Sequence, residues 1–552
     1  LDARNDDAVT RLREKKPRRE KPLALMARDL DQLRTLCEID ERELALLASP
    51  QAPIVLLRRR PDAPVADAVA PENPYLGVML PYTPLHHLLL RRIDFPVVAT
   101  SGNLSDEPIC IDETEALVRL RGVAERFLIH DRPIERHVDD SVAWVWAGEP
   151  RIVRRARGYA PRPVLVRAEI PTVLAVGGHL KNAVALSMGR QVFVSQHIGD
   201  METEQALAAF ERVTADLIRL YEAEPVAVAH DMHPDYATTR WAQAAVRGVV
   251  ADSTAALARE ALPRLDGARL VAVQHHHAHL AACLAENGCD EPALGVTWDG
   301  TGYGPDGTVW GGEFLLGTTS SFRRVGHLRP FRLPGAEAAV REPRRSAVAV
   351  LWELGGRDAL ERDEPCPLEA FEPAARQPLL RMLEAGFNAP WTTSAGRLFD
   401  AVAALLGLHQ TTTFEGQAAM ALEFVASPSI GDAYPIDVTS SGAGEKEKLI
   451  VDWRPLIEAL LEDRRKSEPA STIAARFHNA LSCTIIDVAR TVGVEKVALT
   501  GGCFQNQRLI VRTARALEKA GFTALLHRQI PPNDGGISLG QIAVAAARLA
   551  EG

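Results

Sequence analysis

A run of histidines at the start of a predicted helix has the clearest chemical meaning in the sequence. His275, His276, His277 and His279 occur in VQHHHAHLAACLAENG, where small apolar residues follow them. Residues three or four apart share one face of a helix, so His279 could bind a metal ion together with either His275 or His276. Two imidazoles do not complete a metal site. The remaining ligands are therefore expected to be carboxylates from elsewhere in the chain.

Two aspartates in glycine turns are the candidates for those carboxylates. Asp299 stands in TWDGTG and Asp534 stands in PPNDGGISLGQ. Asp-Gly is a common turn dipeptide, which is the simpler explanation for each. A cation that bridges protein and phosphate would use carboxylates in the same positions. Two histidines with a carboxylate suit iron or zinc.

Three apolar segments each end in a glycine turn of the kind that approaches phosphate. They are TVLAVGGHLKNAVALS, ALGVTWDGTGYG and KVALTGGCFQNQRL. Glycines let backbone N–H groups face an anion without an intervening side chain. One such turn is commonly a hairpin, but three together favour nucleotide binding. The P-loop signature does not occur, which excludes that class of nucleotide-binding enzyme.

The stretch FEGQAAMALE places Glu415 and Gly416 at the start of a predicted helix. Glu415 either favours the helix N-terminus through the helix dipole or accepts hydrogen bonds from ribose hydroxyls. Both interpretations remain open.

Cationic and hydroxyl side chains collect in the first segment of the chain and could converge on a triphosphate. The paired acids Asp139 and Asp140 could hold magnesium, or could neutralise the arginines. The candidate phosphate-binding residues are Arg18, Arg19, Lys21, Ser101, Asn103, Arg154, Arg155 and Arg157.

The elements that must position these residues predict an α/β protein. Strands such as PIVLLRR and FPVVATSG alternate with helical stretches such as AGRLFDAVAALLGL, whose apolar positions recur every three and four residues. The stretch APRPVLVRAEIPT, with its prolines, predicts a linker between two domains.

The overall composition is that of a globular protein of more than one domain. The chain has 552 residues, of which 46% are hydrophobic, and no apolar run is long enough to cross a membrane. The net charge of -9 argues against nucleic acid as a partner. The seven cysteines form no C-x-x-C pair, so a reducing cytoplasm is expected.

Taken together, these motifs resemble a known family. KPLALM, TSGNLSDEPI, HDRPIERHVDDSV and VRRARGYAPRPV are similar to YrdC-type domains. AVGGHLKNAVAL, QHHHAHLAAC, WDGTGYGPDGTVWGGEF, GRLFDAVAALLG and NDGGISLGQ are similar to the carbamoyltransferase domain with an actin-like (ASKHA) ATPase fold. In this order they resemble the HypF family of carbamoyltransferases, which serves hydrogenase maturation.

The resemblance implies a YrdC-like domain over residues 1–165 and a two-lobed ASKHA-type domain over residues 172–552. The first domain would form carbamoyl-adenylate from ATP, with Mg²⁺, and from carbamate derived from carbamoyl phosphate. The second would transfer the carbamoyl group to the C-terminal cysteine of HypE, for the cyanide ligands of nickel–iron hydrogenase. No nucleic acid or membrane would take part.

The resemblance also implies roles for individual residues. Iron or zinc would be held by His275, His279, Asp299 and Asp534, and Lys181 and His276 would be catalytic. Nucleotide would be bound by Lys21, Ser101, Asn103, Arg154, Arg157, Gly177, Gly178, Asn182, Gly300, Thr301, Gly302, Glu415, Gly416, Gly501, Gly502 and Asn506.

Three features of the family are not found in these residues. Neither the acylphosphatase-like domain nor the cysteine-rich zinc module is present, and the glycine-rich opening of the YrdC-like domain is expected before Leu1. The alternative functions are a nucleotide-dependent scaffold that catalyses no reaction, and a relative that carbamoylates hydroxyl groups or tRNA. Pyrophosphate release that depends on carbamate would distinguish the enzyme from the scaffold.

Overall fold

The protein is described by a computed structural model that covers residues 1–16, 18, 20–104, 107–248, 262–362, 367–441 and 447–551. Arg19 lies outside these described residues. Strands and helices alternate along the chain, which confirms the predicted α/β class. The backbone forms two compact units: Leu1–Val273 with His527–Gly552 is the first unit, and Gln274–Leu526 is the second unit. Across the described ranges, every helix is too short or too polar to span a bilayer.

The strands and helices are numbered in chain order. The strands are β1 Ala24–Met26, β2 Ile54–Arg58, β3 Tyr75–Met79, β4 Val97–Ala99, β5 Val142–Trp146, β6 Glu149–Arg154, β7 Pro163–Ile170, β8 Val173–Ala175, β9 Ala185–Val194, β10 Ala227–Asp231, β11 Arg269–Val273, β12 Ala293–Tyr303, β13 Val309–Gly317, β14 Phe322–Leu328, β15 Phe331–Arg332, β16 Trp391–Thr392, β17 Asp437–Ser441, β18 Lys448–Asp452, β19 Lys496–Thr500 and β20 Thr523–Leu526. The helices are α1 Asp6–Lys15, α2 Leu30–Leu36, α3 Glu41–Leu47, α4 Pro84–Leu90, α5 Glu113–Arg119, α6 Glu204–Leu220, α7 Ala237–Ala245, α8 His275–Glu286, α9 Ala338–Arg341, α10 Pro343–Arg362, α11 Pro373–Ala385, α12 Ala395–Leu405, α13 Gln417–Val425, α14 Arg454–Arg465, α15 Ala470–Val492, α16 Gln507–Lys519 and α17 Ile537–Glu551.

The first sheet of the first unit has six strands in the order β4-β1-β3-β2-β5-β6. Leu25, Val55 and Val78 are fully buried and form part of its core. Helix α1 begins at the N-cap Asn5, whose side chain accepts a hydrogen bond from Ala8 N, and ends at Lys15. The end of α1 therefore sets the position of Lys16, which is its C-cap and is buried.

The second sheet of the first unit has five strands in the order β11-β10-β8-β9-β7, and α17 packs against β8, β9 and β10. The prediction of a linker at APRPVLVRAEIPT is wrong, because most of this stretch is β7, which pairs antiparallel with β9. Val164 and Val166 are buried, so the alternation of the β-branched residues outweighs the turn signal of the prolines. Pro163 is the first residue of an edge strand, where the missing N–H is tolerated.

The second unit contains a nine-stranded sheet, with the path β17-β18-β14-β13-β12-β19-β20 and with β15 and β16 at its side. Strands β12 and β19 are parallel neighbours, and Thr297 is in register with Thr500. The carboxyl ends of parallel neighbours meet at one edge of a sheet. Two of the predicted glycine turns therefore lie side by side: the one after Thr500 leaves β19, whereas the one at residues 299–302 is not a separate turn but the irregular end of β12.

Candidate functional site

Three of the predicted metal ligands meet in the second unit. His275 and His279 lie one turn apart on α8, and their Nε2 atoms are 3.6 Å and 2.9 Å from Asp299 Oδ2. One ligand atom from each of the three residues lies within 4.8 Å of the other two. All three side chains are buried. Two imidazoles and a carboxylate that converge in this way fit a divalent ion with nitrogen and oxygen ligands.

Asp299 is held in place by the irregular part of β12. The register between β12 and β13 shifts between Trp298 and Gly302, which turns the chain out of the regular ladder at Asp299. Its Oδ1 accepts a hydrogen bond of 2.7 Å from Gly300 N. Burial alone would raise the pKa of Asp299, but the hydrogen bonds from His275 and His279 hold that pKa well below its usual value. The carboxylate is therefore charged and ready to bind a cation.

Of the two possible histidine pairs, His275 and His279 are the pair that faces a carboxylate. His276 contacts other groups. The side-chain oxygen of Gln274, Oε1, accepts a hydrogen bond from His277 N. The nitrogen of the same amide, Nε2, is therefore a donor, and it lies 3.3 Å from His276 Nδ1. The His276 proton is accordingly on Nε2, which has no hydrogen-bond partner among the described residues. Burial lowers the pKa of His276 well below its usual value, so the ring is neutral.

The glycines of the two neighbouring turns are needed for close approach. A Cβ on Gly302 would lie 2.4 Å from His276 Cε1, and a Cβ on Gly501 would lie 2.2 Å from Trp298 O. Gly501 also has a φ of 98°, which disfavours any other residue. A Cβ on Gly502 would lie 2.8 Å from Asp299 Oδ1. In these turns, backbone without side chains therefore lies next to the cluster of His275, His279 and Asp299.

The other predicted nucleotide-binding residues of the second unit are exposed or make structural hydrogen bonds of their own. Thr301 is exposed, and Glu415 and Gly416 are exposed at the start of α13. Asn506 caps α16 by accepting from Leu509 N, and its Nδ2 lies 2.9 Å from His478 Nε2. The side chain of Asn506 therefore has a structural use, and its contact with nucleotide stays a prediction.

In the first unit, the GGHLKN turn is fixed by buried amide groups. Asn182 Nδ2 donates to Val176 O and Gly178 O, at 2.8 Å and 2.6 Å. Gln541 of α17 pairs with both backbone groups of Gly177, accepting at 2.8 Å and donating at 3.1 Å. Lys181 follows in a left-handed backbone conformation, with φ 47°. The turn is therefore a rigid backbone surface that ends in a lysine.

Asp534 lies beside this turn within the first unit. Asp534 is the first residue of a short 3-10 helix, Asp534–Gly536. A Cβ atom, if Gly178 carried one, would lie 3.5 Å from Asp534 Oδ2. Its participation in the cluster of His275, His279 and Asp299 stays a prediction, since those residues belong to the second unit.

Lys16 is a buried lysine, absent from the predicted phosphate ligands, that contacts residues 101–103 of the first unit, here called the SGN loop. Lys16 Nζ donates to Ser101 O at 2.6 Å and to Asn103 Oδ1 at 2.8 Å. Lys21, which was selected, is exposed. Burial, with a further contribution from Arg18, lowers the pKa of Lys16 to about 8. In the sequence Lys16 is one of several cations in the basic run RLREKKPRREK, and such a run does not reveal which of its cations is buried.

The predicted arginines of the first unit bind backbone and acidic groups. Arg157 donates to Asp140 Oδ1 at 2.9 Å and to Ala52 O at 2.7 Å, and its guanidinium lies over the ring of Tyr82. Arg154 Nε donates to Asp140 O at 2.9 Å. Asp140 therefore neutralises an arginine, which was one of the two interpretations of the paired acids. The binding of phosphate by Arg154 and Arg157 stays a prediction.

Comparisons with known proteins agree with this arrangement. Family models match residues 1–156, as "Telomere recombination" of the Sua5, YciO and YrdC group, and residues 168–286, as "HypF Kae1-like domain". A third matches residues 295–541, as "Carbamoyltransferase, Kae1-like Domain, second subdomain". The predicted fold, a YrdC-like part followed by a Kae1-like part of the ASKHA type, is thereby confirmed, and the bounds 1–165 and 172–552 stay a prediction.

Whole-chain relatives give the same result. Carbamoyltransferase HypF of Synechocystis sp. is 44% identical over 98% of this chain and 69% of that protein. The HypF carbamoyltransferase of Rhodobacter capsulatus is 41% identical over 99% of this chain and 70% of that protein.

Two solved structures are similar over the whole chain. The crystal structure of full-length HypF in the phosphate- and nucleotide-bound form superposes with a TM-score of 0.91 at 38% identity, covering 100% of this chain and 83% of that one. HypF of T. kodakarensis superposes with a TM-score of 0.89 at 30% identity, covering 100% of this chain and 70% of that one. The chain is a carbamoyltransferase, and it belongs to the HypF family, the carbamoyltransferases of hydrogenase maturation.

Proposed function

We propose that this enzyme joins carbamate to ATP as carbamoyl-adenylate and then transfers the carbamoyl group to the C-terminal cysteine thiol of HypE. The thiocarboxamide formed in this way would become a cyanide ligand of the hydrogenase iron. The observation that carries the proposal is the cluster of His275, His279 and Asp299 beside two glycine turns, because acyl transfer from an adenylate needs cationic and backbone groups around a phosphate. A relative solved with phosphate and nucleotide supports ATP as the cofactor.

A direct test supplies ATP and ammonium carbamate to the full chain with HypE. Formation of the adenylate releases pyrophosphate, and transfer leaves a carbamoyl mass on the terminal cysteine of HypE. Nucleotide binding without pyrophosphate release would instead support the scaffold function. The described cysteines are free, which suits a reducing compartment such as the cytoplasm.

The first step belongs to the YrdC-like part of the chain. A carbamate oxygen attacks the α-phosphorus of ATP, the bond from that phosphorus to the bridging oxygen breaks, and pyrophosphate leaves with the electron pair. Lys16 and the SGN loop supply an ammonium group and hydroxyl and amide groups for the phosphates. Mg²⁺ would be held mainly by the ATP phosphates, as is usual for this ion. Lys21, Arg154 and Arg157 are proposed as further phosphate ligands.

Carbamate-dependent ATP–pyrophosphate exchange is expected to decline as the pH rises above 8. Burial lowers the pKa of Lys16 from 10.5 to about 8, so the ammonium group that attracts phosphate loses its proton above that pH. The unfolded chain keeps this proton up to its higher pKa, so folding is favoured as the pH rises from about 8 to 10.5, and unfolding does not explain the decline.

Lys16→Arg is the matched variant, because arginine stays charged throughout this range. Exchange by this variant is expected to stay flat between pH 7 and pH 10, which bracket that pKa of about 8. The same decline in both proteins would show that another group titrates and would contradict this role for Lys16.

The second step belongs to the Kae1-like part. His275, His279 and Asp299 fit iron or zinc, and we propose Asp534 as a further ligand. When bound, the ion would neutralise charge on the AMP leaving group. The thiolate sulfur of the acceptor attacks the carbamoyl carbon, the bond from that carbon to the phosphate oxygen breaks, and AMP leaves with the electron pair.

Two further residues have proposed roles in this step. His276 is neutral with its proton on Nε2, so it is suited to donate a hydrogen bond to the carbamoyl oxygen and not to act as a base. Lys181, at the end of the GGHLKN turn, is proposed to add positive charge near the nucleotide. Backbone N–H groups at Gly177, Gly178, Gly300, Gly302, Gly501 and Gly502 would line the AMP.

Cys503→Ser is expected to retain carbamoyl transfer within about threefold of the native rate, a change of less than about 1 kcal/mol in the activation free energy, because the proposed mechanism gives Cys503 no catalytic role. Burial, with the nearby Asp299 carboxylate, raises the pKa of Cys503 well above its usual value, so the thiol is a poor nucleophile. The attacking thiol must then come from the acceptor. Removing the terminal cysteine of HypE should therefore stop transfer. Mass spectrometry that detects carbamoyl-Cys503 during turnover would instead establish a covalent relay.

A further inference from the structure

Arg397 is a buried cation whose own contacts do not account for its position. It lies in the first turn of α12, after the N-cap Ser394, and is 6% exposed. A cation in the first turn of a helix lies at the positive end of the helix dipole, which is unfavourable. A buried guanidinium also requires acceptors for its five N–H groups. Both costs are offset when an anion binds beside the side chain.

The start of α12 is fixed to the turn that carries Asp299. Ser394 Oγ accepts a hydrogen bond from Arg397 N at 3.0 Å and lies 3.0 Å and 2.8 Å from the carbonyl oxygens of Asp299 and Gly300. A Cβ on Gly396 would lie 2.9 Å from Gly300 Cα, so helix and turn are in direct contact. The guanidinium reaches the same turn, with Arg397 Nη2 3.6 Å from the place of a Cβ on Gly300.

Asp400 compensates for only part of this charge. Its Oδ2 lies 3.0 Å from Arg397 Nη1, yet the pair is not in hydrogen-bonding geometry. Within the described residues, Arg397 Nε and Nη1 have no hydrogen-bond acceptor. Burial raises the pKa of Asp400 to about 6 although Arg397 lowers it, so the carboxylate is itself poorly stabilised. The guanidinium therefore keeps unused donors close to Gly300.

Arg324, a buried arginine of the same unit, is compensated by two carboxylates and serves for comparison. Its side chain is 9% exposed, close to the 7% of Arg397. Arg324 Nε donates to Glu313 Oε2 at 2.6 Å, and Nη1 donates to Asp306 Oδ2 at 3.1 Å. Its guanidinium also lies over the ring of Trp310. Arg324 has one donor, Nη2, without a partner among the described residues, whereas Arg397 has two, Nε and Nη1. The contacts of Arg397 with carboxylates are therefore fewer than those of Arg324, and they leave more of its donors unused.

We propose that Arg397 binds a phosphate oxygen of the acyl-adenylate, and of the AMP released from it, beside His275, His279 and Asp299. This inference rests on the proposed function, because it identifies a ligand for the phosphate in the second step. A planar, weakly hydrated guanidinium is well matched to phosphate oxygens. As the bond from the carbamoyl carbon to the phosphate oxygen breaks, Arg397 stabilises the charge that grows on AMP and exchanges no proton.

The test measures AMP binding by calorimetry in the full chain. Lys16→Ala is the parent, so that nucleotide binding in the YrdC-like part is suppressed, and Arg397→Ala is added to it. Loss of a charge-assisted hydrogen bond predicts a 10- to 100-fold weaker affinity, to order of magnitude. Methylguanidine is expected to restore part of the affinity, which a purely structural role would not produce. Arg397→Lys, which keeps the charge without the fork, replaces the alanine variant if that one does not fold.

Asp400→Asn is the matched control, because it removes the partner charge and preserves the volume. If Arg397 binds phosphate, this variant should bind AMP as tightly as the parent or more tightly. Equal loss of AMP affinity in Asp400→Asn and Arg397→Ala would overturn the proposal and leave a structural ion pair. Unchanged affinity in Arg397→Ala would overturn it as well. A parent that binds no AMP would overturn the proposed function, and this inference with it.

Discussion

His279→Ala is expected to reduce carbamoyl transfer to the acceptor thiol by about 10³-fold, because a bound cation contributes several kcal/mol of charge stabilisation. His279 Nε2 is 2.9 Å from Asp299 Oδ2, the shorter of the two histidine contacts with this carboxylate. Its loss removes one of three converging ligands and so weakens binding of the ion. Carbamate-dependent ATP–pyrophosphate exchange should continue, because Lys16 and the SGN loop are unchanged.

The metal content of the dialysed variant provides a readout that is independent of activity. We expect less bound iron or zinc than in the native protein. His277→Ala is the matched control on the same helix: His277 is equally buried, but its Nε2 lies 2.9 Å from Thr318 O and not beside the carboxylate. It should cost stability and retain metal. Full transfer by a metal-free His279→Ala protein would contradict the assignment.

Glu313→Ala is expected to lower the free energy of unfolding of the second unit by about 3–5 kcal/mol, as is typical when one partner of a buried ion pair is removed. Glu313 is fully buried in β13. Its Oε2 accepts from Arg324 Nε at 2.6 Å, and its Oε1 accepts from Thr393 Oγ1 and from Gly311 N. Alanine would leave the Arg324 guanidinium buried without its main carboxylate.

Calorimetric unfolding of the full chain measures this loss. Replacing both partners with apolar residues, as Glu313→Leu with Arg324→Met, is expected to recover part of the stability, because no buried charge is left unpaired. A decrease below about 1 kcal/mol in the single variant, in the range of an ordinary surface substitution, would show that water or another group replaces the carboxylate.

Local patterns in the sequence were sufficient for one side of the candidate site. The spacing of His275 and His279 implies a shared helix face, and strands that end in glycine turns imply backbone exposed at a sheet edge. The structure brings the two histidines to Asp299. Spacing alone does not decide between His275 and His276 as the partner, because both spacings are compatible with a helix; the family resemblance implies His275, and the structure shows His275 facing Asp299.

Other features depend on burial that a local pattern does not contain. Lys16 is one of several cations in a basic run, and only its packing on the SGN loop distinguishes it from Lys21. Arg397 lies in a helix whose apolar periodicity was clear, and its unused donors become visible only with neighbouring side chains in place. The prolines around β7 predict a linker, and only the pairing of β7 with β9 shows that this stretch is a strand.

The contact between Gln541 and Gly177 has a consequence for biosynthesis. Both backbone groups of Gly177 are bound by a side chain of α17, which the ribosome makes only after all of Gln274–Leu526. The second unit is continuous in sequence, so it can fold while the first still lacks a helix of its sheet. A nascent chain therefore acquires the rigid GGHLKN turn last. Synthesis that stops before residue 537 would yield a protein whose second unit is complete and whose GGHLKN turn lacks the support of Gln541.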